Sequence, residues 1–476
     1  MKKQPKNNKY IFIRNSLNKI YFLSGVIALI AISWLLDINI FGILALVCFT
    51  LYFAILMRAV KENKKQTFLV LGFLLAAFIF TAKQIITHNI NPGYMPVTCI
   101  VILVTILYNN LELTFIMGSI AAIFAGIISG GSLYMYLIFL ISSLAGGILT
   151  WKLRKRARIL TAGLCAGIIQ MALFMLAYRC GYQEALPSLF SGIICGIFAT
   201  GLLPLLENIF GIATNISLLE LSDLEHPLLK RLILEAPGTY HHSLIVGNLS
   251  EAAAERIGAN ALLARIGSYY HDIGKLANSE YFMENQKNGG KHSNITPSIS
   301  KMMIMSHIKE GVMLAKKYRL KPSIIDFITT HHGTSLVYYF YRKALEDIQE
   351  PSQIQEEGFR YPGPKPNSKE TAIVLLADSV EAASRAINDP QAPRIEDVVH
   401  KIINNKFIDG QLDDCDLTLR DLEKIASVFI HMLSGIYHDR IKYPEASREE
   451  SNHKKNHIKT PAHLPKEDKE QNPENS

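Results

Sequence analysis

The chain has 476 residues, 49% of them hydrophobic and 19% charged, with a formal net charge of +8. That length allows about three domain-sized units. The positive charge sits beside apolar runs and in the last residues, not in a basic stripe interleaved with aromatics, which argues against a nucleic-acid polymer as partner. Six cysteines with no CxxC, five of them in the apolar half (Cys48, Cys99, Cys165, Cys180 and Cys195, with Cys415 beyond it), argue against a disulfide framework.

Composition changes near residue 210. Before it, Leu, Ile, Phe, Ala and Gly dominate; after it the chain is polar and charged. A membrane-spanning helix needs about 20 mostly apolar residues. Eight candidate spans follow, at 20–36, 40–57, 68–82, 97–108, 115–129, 133–151, 159–177 and 189–206. Only Asn109-Asn110-Leu111-Glu112 separates the fourth from the fifth, so seven is the alternative. The tail to Lys19 holds six Lys or Arg, 58–65 holds four and 152–158 holds five. Eight spans put all three basic segments on the cytoplasmic side, as the positive-inside rule requires, together with both termini. The first span lacks a small-x-small cleavage site and is read as a retained helix. Ionisable groups are almost absent from the spans, which argues against a transport pathway.

Residues 207–238 are expected to form a connector helix, because Leu218, Leu219, Leu221, Leu224, Leu228, Leu229 and Leu232 recur at near-helical spacing. Ser222 and His226-Pro227 are positioned to bound turns within it. Such a helix either packs as a spacer, or transmits membrane state or dimerises. From 239 to 443 the apolar pattern is helical throughout, with irregular insertions at 285–294 and 350–368. Pro297, Pro322 and Pro390 stand near helix starts. Residues 444–476 hold too few apolar groups to bury and are expected to be disordered. The expected architecture is all-α: a basic tail (1–19), a polytopic bundle (20–206), the connector and a helical soluble domain.

The chemistry lies in that last domain. His271-Asp272 sits in Tyr269-Tyr270-His271-Asp272-Ile273-Gly274-Lys275-Leu276, flanked by His242, His307 and His331-His332. A lone acid, Asp378, follows in an apolar run, where a carboxylate needs a partner. Imidazole and carboxylate are ligands of divalent transition metals. Two ions with about four ligands each and one shared carboxylate require about seven residues. These seven supply them, and Asp272 is the natural bridge, having two oxygens. His241 adjoins His242, and chemistry alone does not choose between them. Lys275, Thr334 and Ser335 are candidates to hold a phosphate. Tyr341, with Tyr338, Tyr339 and Phe340, is a candidate to stack a base or to form a core stripe.

The ordered H…HD…H…HH…D set, with HDIG and HHGTSL, resembles the HD superfamily of metal-dependent phosphohydrolases. The segments LLELSDLEHPLLKRLILEAPGTYHHS, YYHDIGKL, SHIKEGVMLAKKYRL, HHGTSLVYYFYRKA and FRYPGPKPNSKETAIVLLADSVEAASR resemble, more closely, the membrane-anchored 7TM-HD group. These are the PgpH-type cyclic di-AMP phosphodiesterases of bacteria. The resemblance implies a helical HD fold with two iron or manganese ions and hydrolysis of cyclic di-AMP to pApA by a di-metal-activated hydroxide. It selects His242 over His241 and puts His242, His271, Asp272 and Asp378 on one ion. Asp272, His307, His331 and His332 fall on the other. Members of the group carry a large extracytoplasmic domain after the first span, where this chain has only residues 37–39. That departure concerns a signal read outside the cell, not the hydrolase motifs. The expected partners are a cyclic dinucleotide and the lipid bilayer of the cell (inner) membrane, with a homodimer as a further candidate. The alternatives are an HD phosphohydrolase of another nucleotide and a non-catalytic, nucleotide-responsive membrane receptor.

Overall fold

The computed structural model describes residues 64–286, 296–346, 355–387 and 390–437. The expected spans at 20–36 and 40–57, the basic tail and the stretch after 444 lie outside the described residues. Among the described residues the fold is helical, with no strand and one isolated bridge between Leu336 and Arg360.

The apolar half contains α1 (Lys64–Thr87), α2 (Val97–Tyr108), α3 (Leu111–Ile128), α4 (Leu133–Thr150), α5 (Ala157–Tyr178) and α6 (Tyr182–Phe210). All but α2 are long and apolar enough to cross a membrane. The shorter α2 is buried from Val97 to Leu107, so its neighbours enclose it. Outer faces expose Leu69, Phe80, Leu133 and Leu176, an inside-out distribution that suits lipid and not water. The short break after α2 separates two helices. Asn109 takes a left-handed conformation, φ 47°, and Asn110 caps α3 by accepting from the Leu113 N–H at 3.0 Å. Between α5 and α6, Gly163 and Gly167 meet Gly192 and Gly196 backbone to backbone, the close approach small residues permit in membranes. The last span is longer than expected, running to Phe210 until Gly211, at φ 62°, ends it.

The segment expected as one connector helix is divided. It begins with the end of α6, then forms α7 (Asn215–Leu221) and α8 (Pro227–Glu235). Thr214 and Ser217 cap α7 reciprocally. Pro227 opens α8 with His226 as its cap, so a helix continuous through 222–226 does not form. Leu228, Leu229 and Leu232 are fully buried, each contributing about 1.5–3 kcal/mol of apolar burial. Arg156, at the start of α5, grips Glu220 of α7 through two bonds of 2.8 and 2.9 Å.

The soluble domain follows as α9 (Pro237–Ile257), α10 (Ala261–Tyr270), α11 (Pro297–Lys317), α12 (Pro322–Thr330), α13 (Tyr338–Glu346), α14 (Lys369–Arg385), α15 (Ala392–Ile408) and α16 (Leu419–Tyr437). The central helix is α14: Ala372 to Ala377 and Val380 are all fully buried against Val246, Leu249 and Phe429. Tyr270, at the end of α10, reaches back and donates to the Leu221 carbonyl at 2.7 Å.

Candidate metal centre

Five segments of the soluble domain converge on one point. His242 lies on the buried side of α9. His271 is the C-cap of α10, and Asp272 opens the 3-10 turn Ile273–Ala277. His307 comes from the middle of α11, His331 caps the end of α12 with His332 after it, and Asp378 comes from the middle of α14. The turn after Asp272 packs directly on α11. A Cβ at Gly274 would overlap the His307 carbonyl, so only glycine fits there.

The structure brings all seven side chains together. Asp272 divides its oxygens: Oδ2 lies 3.2 Å from His271 Nε2 and 3.8 Å from His242 Nε2. Its Oδ1 lies 3.5 Å from both His307 Nε2 and His331 Nε2. Asp378 sets Oδ1 3.0 Å from His242 Nε2 and Oδ2 3.5 Å from His332 Nδ1. Ligand atoms on a tetrahedral ion at about 2.1 Å would stand about 3.4 Å apart. The observed spacings bracket that value. Ligand atoms of three trios lie within 4.8 Å of one another: His242-His271-Asp378, His271-Asp272-His331 and His307-His331-His332.

The rings are held from behind. His271 Nδ1 donates to the Ser268 carbonyl at 2.6 Å, His307 Nδ1 to that of Ile304 at 2.5 Å, and His331 Nδ1 to that of Ile328 at 3.0 Å. His242 Nδ1 donates to Glu381 Oε2 at 2.5 Å. Such bonds fix the tautomer that aims Nε2 inward, the usual outer support of a metal-binding histidine. His271 Nε2 and Asp272 Oδ1 are buried without a hydrogen-bond partner. Orphaned groups of this kind, in a donor set of imidazole and carboxylate, fit divalent first-row ions.

Electrostatics reinforces the arrangement. Burial disfavours charge on His271, yet Asp272 and Asp378 override it and push the imidazole up to about 10. The carboxylates therefore favour positive charge at this position. Burial pushes His307 down to about 4, which keeps its lone pair available. The Asp272 and Asp378 carboxyls are held well below the usual range: burial opposes this, but Lys275 and His271 outweigh it at Asp272, as His242 and His271 do at Asp378.

The neighbouring pair His241 and His242 is resolved by helix phase, since His241 is exposed and His242 buried. Lys275 reaches the centre, but as a partner of acids: Nζ lies 2.7 Å from both Asp272 Oδ2 and Glu284 Oε1, over the Phe282 ring. The other expected substrate contacts point elsewhere. After His332 the chain turns through Gly333 at φ 53°, and the Thr334 N–H donates to Gln411. Ser335 Oγ accepts from Lys406 Nζ at 2.6 Å. Tyr341 packs on Phe359, and Tyr338 and Tyr339 are exposed. A cavity of about 200 Å³ opens above the histidines. Thr334, Ser335 and Tyr341 do not line it; Tyr361, Phe282, Glu284 and Arg385 do. Tyr361 stacks on His332 with ring centroids 4.3 Å apart.

Two family models match separate parts of the chain. Residues 32–214 match the family model of the 7TM receptor with intracellular HD hydrolase, and residues 239–383 match the HD domain. The chain is 42% identical over 377 residues to the cyclic-di-AMP phosphodiesterase PgpH of Bacillus subtilis (strain 168), covering 75% of this chain and 52% of that protein. It is 36% identical over 404 residues to the PgpH of Listeria monocytogenes serotype 1/2a (strain 10403S), covering 81% of this chain and 55% of that protein. The chain thus spans about half the length of the curated relatives it matches. A crystal structure of the L. monocytogenes PgpH HD domain with cyclic-di-AMP is 47% identical, with 46% of this chain and 100% of that chain covered and a TM-score of 0.43.

Proposed function

We propose that this chain, whose two parts match the 7TM receptor with intracellular HD hydrolase and the HD domain, is a membrane-anchored phosphodiesterase converting cyclic di-AMP to pApA. The observation that carries this reading is the division of Asp272, one oxygen toward His242 and His271 and the other toward His307 and His331. One buried carboxylate shared between two imidazole sets is the ligand plan of a two-metal phosphoesterase.

His242, His271, Asp272 and Asp378 would hold one ion, and Asp272, His307, His331 and His332 the other. When bound, two iron or manganese ions supply Lewis acidity toward the phosphoryl oxygens and an activated water. The residues do the rest. The backbone carbonyls and Glu381 orient the imidazoles, Lys275 holds Asp272 in place, and Tyr361 fixes the plane of His332. Around the cavity, four carboxylates (Asp272, Asp378, Glu284, Glu381) face two cations (Lys275, Arg385). With two divalent ions the balance of this cluster becomes positive, which suits the two negative charges of a cyclic dinucleotide, one on each phosphodiester.

The basic loop bears on the side of the membrane. The segment 152–158 carries five cations and touches the connector through Arg156 and Glu220, which supports a cytoplasmic soluble domain on the positively flanked side. The test uses the full chain in detergent, loaded with Mn²⁺ or Fe²⁺ and offered cyclic di-AMP, cyclic di-GMP and (p)ppGpp. Preferential release of pApA is expected. No turnover of cyclic di-AMP with both ions bound would overturn the reading.

A further inference from the structure

Arg385 is the last residue of α14, two turns beyond Asp378, and it lines the cavity above the histidines. Its Nη2 is committed: it donates to Glu381 at 2.5 and 2.6 Å and lies 3.1 Å from His242 Nδ1. Nε and Nη1 donate to no other side chain among the described residues, and the side chain is 42% exposed at the cavity mouth. The other cation of the lining differs. Lys275 is 12% exposed and holds Asp272 and Glu284 at 2.7 Å each, so its charge is already neutralised. Of the two, Arg385 alone combines a fixed position with donors facing solvent.

A cyclic dinucleotide carries two phosphodiesters, and a two-metal centre engages only the one being cleaved. The second needs another anion partner within the same cavity. We propose that Arg385 is that partner: it binds the non-scissile phosphate of the substrate through Nη1, and so selects two-phosphate substrates over simple phosphodiesters. Its bond to Glu381 pre-sets the guanidinium, which reduces the side-chain ordering lost on binding. Lys275, by contrast, positions Asp272. The inference rests on the cyclic-dinucleotide reading above.

The test compares the full chain with Arg385→Met and Arg385→Lys on two substrates, cyclic di-AMP and bis(p-nitrophenyl) phosphate, which has one phosphodiester. Metal content is measured for all three. Arg385→Met should raise KM for cyclic di-AMP about tenfold or more, as loss of a charge-assisted bond does. It should leave metal content and turnover of the single diester within about threefold. Arg385→Lys, which keeps the charge beside Glu381, should recover part of the loss. Equal losses on both substrates, or lost metal, would show that Arg385 acts only through Glu381 and His242 and would overturn the proposal. So would unchanged kinetics on both. A wild-type chain that cleaves the single diester but not cyclic di-AMP would sink the substrate reading and this inference with it. That failure shows in the wild type, whereas failure of the Arg385 role alone shows only in the variants.

Discussion

His307 and His331 point their Nε2 atoms at each other across 3.1 Å while each Nδ1 donates to a backbone carbonyl. Two neutral rings in that state oppose lone pair to lone pair, a repulsive contact that a shared cation converts into an attractive one. Stripping metal with a chelator should therefore lower the thermal midpoint of the soluble domain, and adding Mn²⁺ should restore it. A free ion at about 100 times its Kd contributes about 2.7 kcal/mol. A midpoint indifferent to chelator would remove the metal from the account.

Asp272 and His332 should differ in what they release. Asp272→Ala deletes the carboxylate between the two histidine sets, so both ions should be lost and activity should fall by more than about 100-fold. His332→Ala removes a ligand from one set only. Its bound metal should drop by half, which elemental analysis of the purified variants would read directly.

Helix phase separates the neighbours His241 and His242. His241→Ala changes an exposed ring and should leave metal content and activity near wild type. His242→Ala should abolish both. Equal loss in the two variants would contradict the placement of α9.

Glu381 would act on a bound metal through His242, whose Nδ1 it accepts from. Glu381→Gln keeps the shape but weakens the bond to Nδ1, and metal affinity should fall about 10–100-fold. Because Gln also loses the tie to Arg385, the measurement should be a metal titration rather than a rate.

Gly274 is fixed by contact. Gly274→Ala drives a methyl into the His307 carbonyl, a backbone atom that cannot swing away. Overpacking of this kind costs about 1–3 kcal/mol. The variant should unfold at lower denaturant and bind metal poorly. Wild-type stability would mean the HDIG turn and α11 are further apart than described.

The clustering of the seven candidate ligands was legible in the sequence because metal chemistry restricts residue type so strongly. Imidazole and carboxylate recurring in an otherwise apolar helical pattern leave few alternatives. The outer support was partly legible: Glu381 stands three residues after Asp378 and Arg385 four after Glu381, so all share one helix face. Thr334 and Ser335 are turned away from the cavity because Gly333 directs the chain toward Gln411 and Lys406, and no periodicity encodes that turn. Tyr361 was invisible for the same reason, lying in a proline-rich loop. The connector misled because leucine spacing runs smoothly across 218–232, while Pro227 and its cap divide the helix.

The seven-residue helix α7 is held at adjacent residues by two distant parts of the chain. Glu220 is fastened to Arg156 in the basic loop, and the Leu221 carbonyl is fastened to Tyr270, one peptide bond before His271. A shift of α7 would therefore reach both the start of α5 and the residue before the candidate ligand His271.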